Sequence, residues 1–162
     1  MSEQAAKETV KVRIVNASIS GDTSSGGVSR LPQLLQIHKP QVLIVELGGN
    51  DALRGLSMRM TQQNLSTMAK VGKKTGAKVI VVSMQIPPNY GASYAQQMAQ
   101  AYQLVKQETG AELNQVFLKG VADTADPLMW FQPDRIHPNE AAQITMMKNI
   151  WPQLKKMLVE TK

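Results

Sequence analysis

Two near-continuous apolar runs, residues 41–47 and 78–84, constrain this chain more than any other feature. A strand with one wet face alternates apolar and polar side chains. A run that is apolar at almost every position is buried on both faces. Amphipathic helical patterns separate such runs here. Thr23 can cap a helix with Val28, Leu31, Leu34 and Leu35 on one stripe, ending near His38 before Pro40. A second helix is expected from Thr61 through Leu65, Met68 and Ala69, closed by Gly76. A third spans 92–109, with Tyr94, Met98, Ala101, Tyr102 and Val105 on one face and Gly110 after it. Further strands are expected at 12–17 and 115–118, then a long connection over 119–138. Asn139 caps a last helix that turns Ile144, Met147, Ile150, Trp151 and Leu154 inward and kinks at Pro152. Doubly buried strands alternating with helices imply α/β: a three-layer α/β/α sandwich around a parallel sheet. At 162 residues, 1–162 reads as a single domain.

In such sheets ligands bind beyond the carboxyl ends of the strands. The loops 18–23, 48–51 and 85–91 lie there, and the loop 134–139 joins the same rim if its strand is parallel too. Asn50 follows two glycines, which let the backbone approach a ligand closely. Its side chain can donate to a developing oxyanion; Gly-Gly-Asn-Asp is equally ordinary turn chemistry. Gly21, between a strand and a helix, offers a second backbone donor, while Asp22 or Thr23 beside it can cap the helix. Asp134 stands three residues before His137, a spacing that lets a carboxylate orient an imidazole and stabilise its charged form. Trp130 and Phe131 either line a pocket or plug the core beneath that loop. Residues 87–91, rich in proline, form a stiff wall at the rim.

Composition narrows the partners. There are no cysteines, so disulfide and thiolate chemistry are excluded. The two histidines, His38 and His137, lie far apart, and no metal site is expected. The net charge of +6 permits peripheral contact with anionic lipid. The dispersed lysines also suit helix C-termini and a solvated surface. No aromatic residues interleave with them, so nucleic acid is not an expected partner. The ten methionines fall mostly on apolar helix faces and read as core. Residues 1–11 are polar, without the apolar segment of a secretory signal.

Taken together, these segments resemble the SGNH (GDSL) hydrolases, and within them the bacterial acyl-CoA thioesterase I, lysophospholipase and arylesterase group. Val15-Asn16-Ala17-Ser18-Ile19-Ser20-Gly21-Asp22-Thr23 looks like block II of that family. Val45-Glu46-Leu47-Gly48-Gly49-Asn50-Asp51 looks like block III, and Asp134-Arg135-Ile136-His137-Pro138-Asn139 looks like block V. Met84-Gln85-Ile86-Pro87-Pro88-Asn89-Tyr90-Gly91 is similar to the substrate loop. The resemblance implies a flavodoxin-like fold, with His137 as general base, Asp134 as its orienter, and Gly21 and Asn50 as oxyanion donors. Gly49, Pro88, Tyr90 and Ile136 would face the substrate. No cofactor is implied. The partner is a small-molecule acyl ester or thioester such as acyl-CoA, a lysophospholipid or an aryl ester. A periplasmic or secreted location would follow from the resemblance, although this chain shows no signal peptide.

The departure is at the front. In the resembling family a strand and a Gly-Asp-Ser turn carry the nucleophile ahead of block II. No Gly-Asp-Ser run occurs in these residues, and Ser18 and Ser20 sit where the oxyanion turn belongs. The expectation is a chain truncated before its nucleophile block and inactive alone. Its missing strand would leave 12–17 and 41–47 with unpaired edges, or force them to pair directly. The rival readings are a non-catalytic acyl- or lipid-binding protein and a subunit completed by a separate peptide.

Overall fold

The computed structural model describes residues 12–86 and 88–159. Three strands, β1 (Val42–Val45), β2 (Lys78–Val82) and β3 (Glu112–Asn114), form a parallel sheet in the order β1-β2-β3. The register pairs Val42 with Lys78 and Val45 with Val81, then Ile80 with Glu112 and Val82 with Asn114. Helix α1 (Ser24–His38) precedes β1. The short α2 (Gly49–Leu53) and α3 (Met58–Lys74) link β1 to β2, and α4 (Ala92–Thr109) links β2 to β3. Helix α5 (Gln143–Val159) ends the described chain.

Period-two alternation along β2 divides the core. Val79 and Val81 pack with Leu31 and Leu35 of α1, Leu65 and Met68 of α3, and Met98, Tyr102 and Val105 of α4. Ile80 and Val82 face Ile150, Trp151, Leu154 and Met157 of α5. These are the three layers that doubly apolar strands require. A buried side chain of this size contributes roughly 1.5–3 kcal/mol, so both faces must be covered for the sheet to persist. A third cluster, Val121, Ala142 and Met146, lies under the long 119–138 connection.

Several expected elements move. Residues 12–17 form no strand. Ile14 and Val15 are 41% and 43% exposed, and among the described residues β1 pairs with β2 alone. A β-branched run without a ladder partner has no strand to join, and direct pairing with 41–47 does not occur. Side chains hold the segment instead: Arg30 Nη1 donates to the Ala17 carbonyl at 2.5 Å, and an Arg13 amino group donates to the His38 carbonyl at 3.4 Å. The third strand is Glu112–Asn114, ahead of 115–118, because Ser83 N–H reaches the Asn114 carbonyl at 2.8 Å. Asn114 looks polar in sequence yet is buried, its amide donating to the Asn149 carbonyl and Gln153 Oε1. Helix α3 begins at Met58, before Thr61, since Ser57 caps it by accepting from the Met60 N–H. In the last helix Ile144 is 64% exposed and Met146 turns inward in its place. That helix runs on through Pro152 to Val159. Pro87 and residues 1–11 lie outside the described residues.

Candidate active site

The Asp134–His137 pair is built by one closed turn. Phe131 bridges Pro138, Gln132 N–H donates to the His137 carbonyl at 2.8 Å, and Arg135 N–H donates to the Gln132 carbonyl at 2.8 Å. Arg135 takes a left-handed φ of 60° to close it, an uncommon conformation for a residue with a Cβ. Asp134 Oδ1 accepts the backbone N–H groups of Ile136 (2.9 Å) and His137 (3.0 Å), and its Oδ2 lies 2.6 Å from His137 Nδ1. The bond to His137, helped by those two backbone donors, pulls the Asp134 carboxyl down to about 2. In the tautomer whose Nδ1–H donates to Asp134, Nε2 carries the lone pair. The side chains of His137 and Asp134 are 57% and 43% exposed, so the imidazole is open to a ligand. Trp130 and Phe131 pack on the Val121, Ala142 and Met146 cluster; they plug the core under the loop.

The two residues expected as oxyanion donors, Gly21 and Asn50, lie in two other loops of the chain. Gly21 has φ +75°, and its carbonyl accepts from Arg54 Nη2 at 2.8 Å. Asp22 beside it pairs with Arg30 at 2.9 Å. Asn50 sits in the first turn of α2, a short helix where the sequence allowed a plain turn. Among the described residues, neither the Gly21 N–H nor the Asn50 side-chain amide has a hydrogen-bond partner. Gly48 makes the turn possible. Its φ is +109°, and a Cβ there would stand 2.6 Å from Tyr102 Oη. That hydroxyl donates to the Leu47 carbonyl at 2.8 Å, and burial raises its pKa above the usual phenol range.

Asp51 was legible only as a turn residue. The structure buries it, accepting from the Ser24 N–H at 2.8 Å, the Ser24 hydroxyl, and the Thr61 hydroxyl at 3.2 Å. Ser24 lies 27 residues and Thr61 ten residues away in sequence, so nothing within the turn itself signalled the contact. Together with Arg54, these bonds draw the Gly21 and Asn50 loops together. No hydrogen bond among the described residues joins this half to the Asp134–His137 turn.

Of the expected substrate-side residues, Gly49 is half-buried beside Met84. Tyr90 ends a 3₁₀ turn that begins at Pro88, and both Tyr90 and Ile136 are exposed. His38 is half-buried at the end of α1. Among the described residues no group of His, Asp and Glu could hold a metal ion, and no helix is long and apolar enough to cross a membrane. Two lysines serve helix ends: Lys73 donates to the Thr109 and Gly110 carbonyls, and Lys78 to that of Met157.

The profile of the GDSL-like Lipase/Acylhydrolase family matches residues 1–143. The chain belongs to this family. Esterase TesA of Pseudomonas aeruginosa is 44% identical over 158 residues, covering 98% of this chain and 77% of the relative. Thioesterase 1/protease 1/lysophospholipase L1 of Escherichia coli is 40% identical over 133 residues, 82% of this chain and 62% of the relative. The chain therefore spans less than two thirds of that second relative. A crystal structure of TesA superposes with a TM-score of 0.90 at 44% identity, covering 96% of this chain and 85% of the other. The fold is thus the SGNH hydrolase fold, and the kinship is with hydrolases of the carboxylic ester class.

Proposed function

We propose that this chain carries the base, its orienter and the oxyanion donors of an SGNH-type esterase/thioesterase, and that these residues do not turn over substrate unaided. The observation that carries the reading is the 2.6 Å Asp134–His137 bond on an exposed imidazole to whose Nε2 no described serine hydroxyl is bonded. The substrate class is an acyl ester or thioester, and carboxylic esters, thioesters and lysophospholipids fit the names esterase, thioesterase and lysophospholipase that its relatives carry.

The chemistry follows from the two halves. A serine hydroxyl brought to His137 loses its proton to Nε2 and attacks the acyl carbonyl carbon. Negative charge moves onto the carbonyl oxygen, where the Gly21 N–H and the Asn50 amide stabilise it. Asp134 holds the imidazole in one tautomer and stabilises the imidazolium. His137 returns the proton to the departing alcohol or thiol. Water, deprotonated by the same nitrogen, then releases the acid and restores the serine.

The test is hydrolysis of p-nitrophenyl butyrate by three proteins: the 162-residue chain, its His137→Ala variant, and the chain fused behind a strand ending in Gly-Asp-Ser. The chain and the His137→Ala variant should both stay at background. The fusion should turn over, and His137→Ala should abolish that turnover. His137-dependent turnover by the chain alone would reveal a nucleophile among its own residues. A folded fusion without turnover would sink the assignment of the site.

A further inference from the structure

Asp51 takes no part in the chemistry just proposed, yet it is the acidic side chain that this fold encloses most deeply among the described residues, at 3% exposure. We propose that Asp51 is a positioning residue whose carboxylate sets the placement of the Asn50 amide relative to the Gly21 N–H. The proposal rests on the reading of those two groups as oxyanion donors.

The geometry is a strap between two loops. Asp51 follows Asn50 directly, and Ser24 opens α1 three residues after Gly21. Asp51 Oδ2 accepts the Ser24 backbone N–H at 2.8 Å, while Oδ1 accepts the hydroxyls of Ser24 and Thr61. Asn64 Nδ2 donates to Ser24 Oγ at 2.9 Å and completes the network from α3. A second strap runs from the same loop to the other end of the 21–24 segment, Arg54 Nη2 to the Gly21 carbonyl at 2.8 Å. The segment bearing one donor is thus fastened at both ends to the loop bearing the other.

The choice of a carboxylate is informative. No cation forms an ion pair with Asp51 among the described residues. Its charge is answered instead by three donors and by the N-terminus of the 15-residue α1, where the helix dipole favours an anion. An apolar side chain would fill the space without directional bonds. A carboxylate accepting from a backbone N–H and two hydroxyls fixes orientation as well as distance. Positioning of this kind matters to catalysis because donors must already point at the oxygen when charge develops.

The experiment is ¹H–¹⁵N NMR of the full chain with Asp51→Asn, and with Glu108→Gln as a control. Glu108 closes a separate network, accepting from Gln62 Nε2 at 2.7 Å and Ser66 Oγ at 2.9 Å, between α3 and α4. Asp51→Asn should move the Ser24 amide upfield, shift the Gly21 amide and the Asn50 side-chain amide, and introduce microsecond–millisecond exchange at both donors. The His137 signals should stay in place. Glu108→Gln should leave the signals of Gly21 and Asn50 unmoved. Where Asp51→Asn does not fold, Thr61→Val removes one donor to the carboxylate and is read the same way. Wild-type positions and relaxation at Gly21 and Asn50 in the Asp51 variant would overturn the proposal. Equal movement in the Glu108 variant would overturn it as well, since that is what loss of stability alone produces. None of these readouts needs hydrolysis, so failure of the esterase reading and failure of the positioning role are told apart.

Discussion

Gly48→Ala is the substitution whose cost can be worked most directly from the structure. Gly48 precedes α2 at φ +109°, and a Cβ at that position would lie 2.6 Å from Tyr102 Oη and 3.2 Å from Thr61 Cγ2. The backbone penalty for a side-chain-bearing residue in the left-handed region is about 1–2 kcal/mol. Overpacking against a buried neighbour costs about 1–3 kcal/mol. Tyr102 cannot swing away freely, because its hydroxyl donates to the Leu47 carbonyl and the ring is fully enclosed. The expected loss is therefore about 2–5 kcal/mol, a large part of the ~5–15 kcal/mol that holds an ordinary domain. Urea unfolding followed by Trp fluorescence measures it, since Trp151 is buried in the core. A second background separates the two contributions. In Tyr102→Phe the clashing oxygen is gone and the Thr61 Cγ2 contact at 3.2 Å remains, so Gly48→Ala should cost less there than in the wild type, by a part of the ~1–3 kcal/mol overpacking cost. A Gly48→Ala variant within about 0.5 kcal/mol of the wild type would refute the steric argument, as would an equal cost in both backgrounds.

The carboxyl of Asp134 should titrate near pH 2 by NMR and rise toward the ordinary carboxylate range in His137→Ala, which removes the largest cause of its depression. Because the folded value is lowered, whatever the pair contributes is present above the ordinary carboxylate value and fades as pH falls toward 2; an ordinary value in the wild type would show that the bond is not held in solution. In a chain supplied with the nucleophile segment, Asn50→Ala should lower kcat by roughly 10²–10³, and an unchanged kcat would leave Asn50 as a turn residue only. Leu65→Ala, at a fully buried position of α3, should cost about 2–5 kcal/mol in the same urea assay. A loss under 1 kcal/mol would mean that the face between α3 and the sheet is not packed as described.

What the sequence disclosed follows the reach of each interaction. Helix α4 runs over the residues expected for it, because Gly91 and Gly110 punctuate both ends and the apolar stripe is continuous. The Asp134–His137 pair was equally legible, since its partners stand within three residues of each other. Residues 12–17 carry β-branched side chains, but strand formation depends on a neighbour that propensity does not reveal. β3 was misplaced because Glu112 and Asn114 disguise a strand whose buried Asn114 side chain donates to α5. The roles of Asp51 and Arg54 stayed hidden for the same physical reason: their partners, Ser24 and Gly21, come from another loop brought near only by the folded sheet.

The exposure of the Asp134–His137 turn has a genetic consequence. A solvent-exposed hydrogen-bonded pair adds little to a fold. Replacing Asp134 by Asn or Ser would keep an acceptor for the turn's backbone bonds, and replacing His137 would disturb no core contact. A mutational scan scored on protein abundance should be nearly flat at His137 and steep at Gly48 and Asp51. The Gly48–Asp51 loop is thus guarded against drift by folding itself, and folding offers His137 no such protection. Purifying pressure on that position can come only from what its imidazole does to another molecule or group.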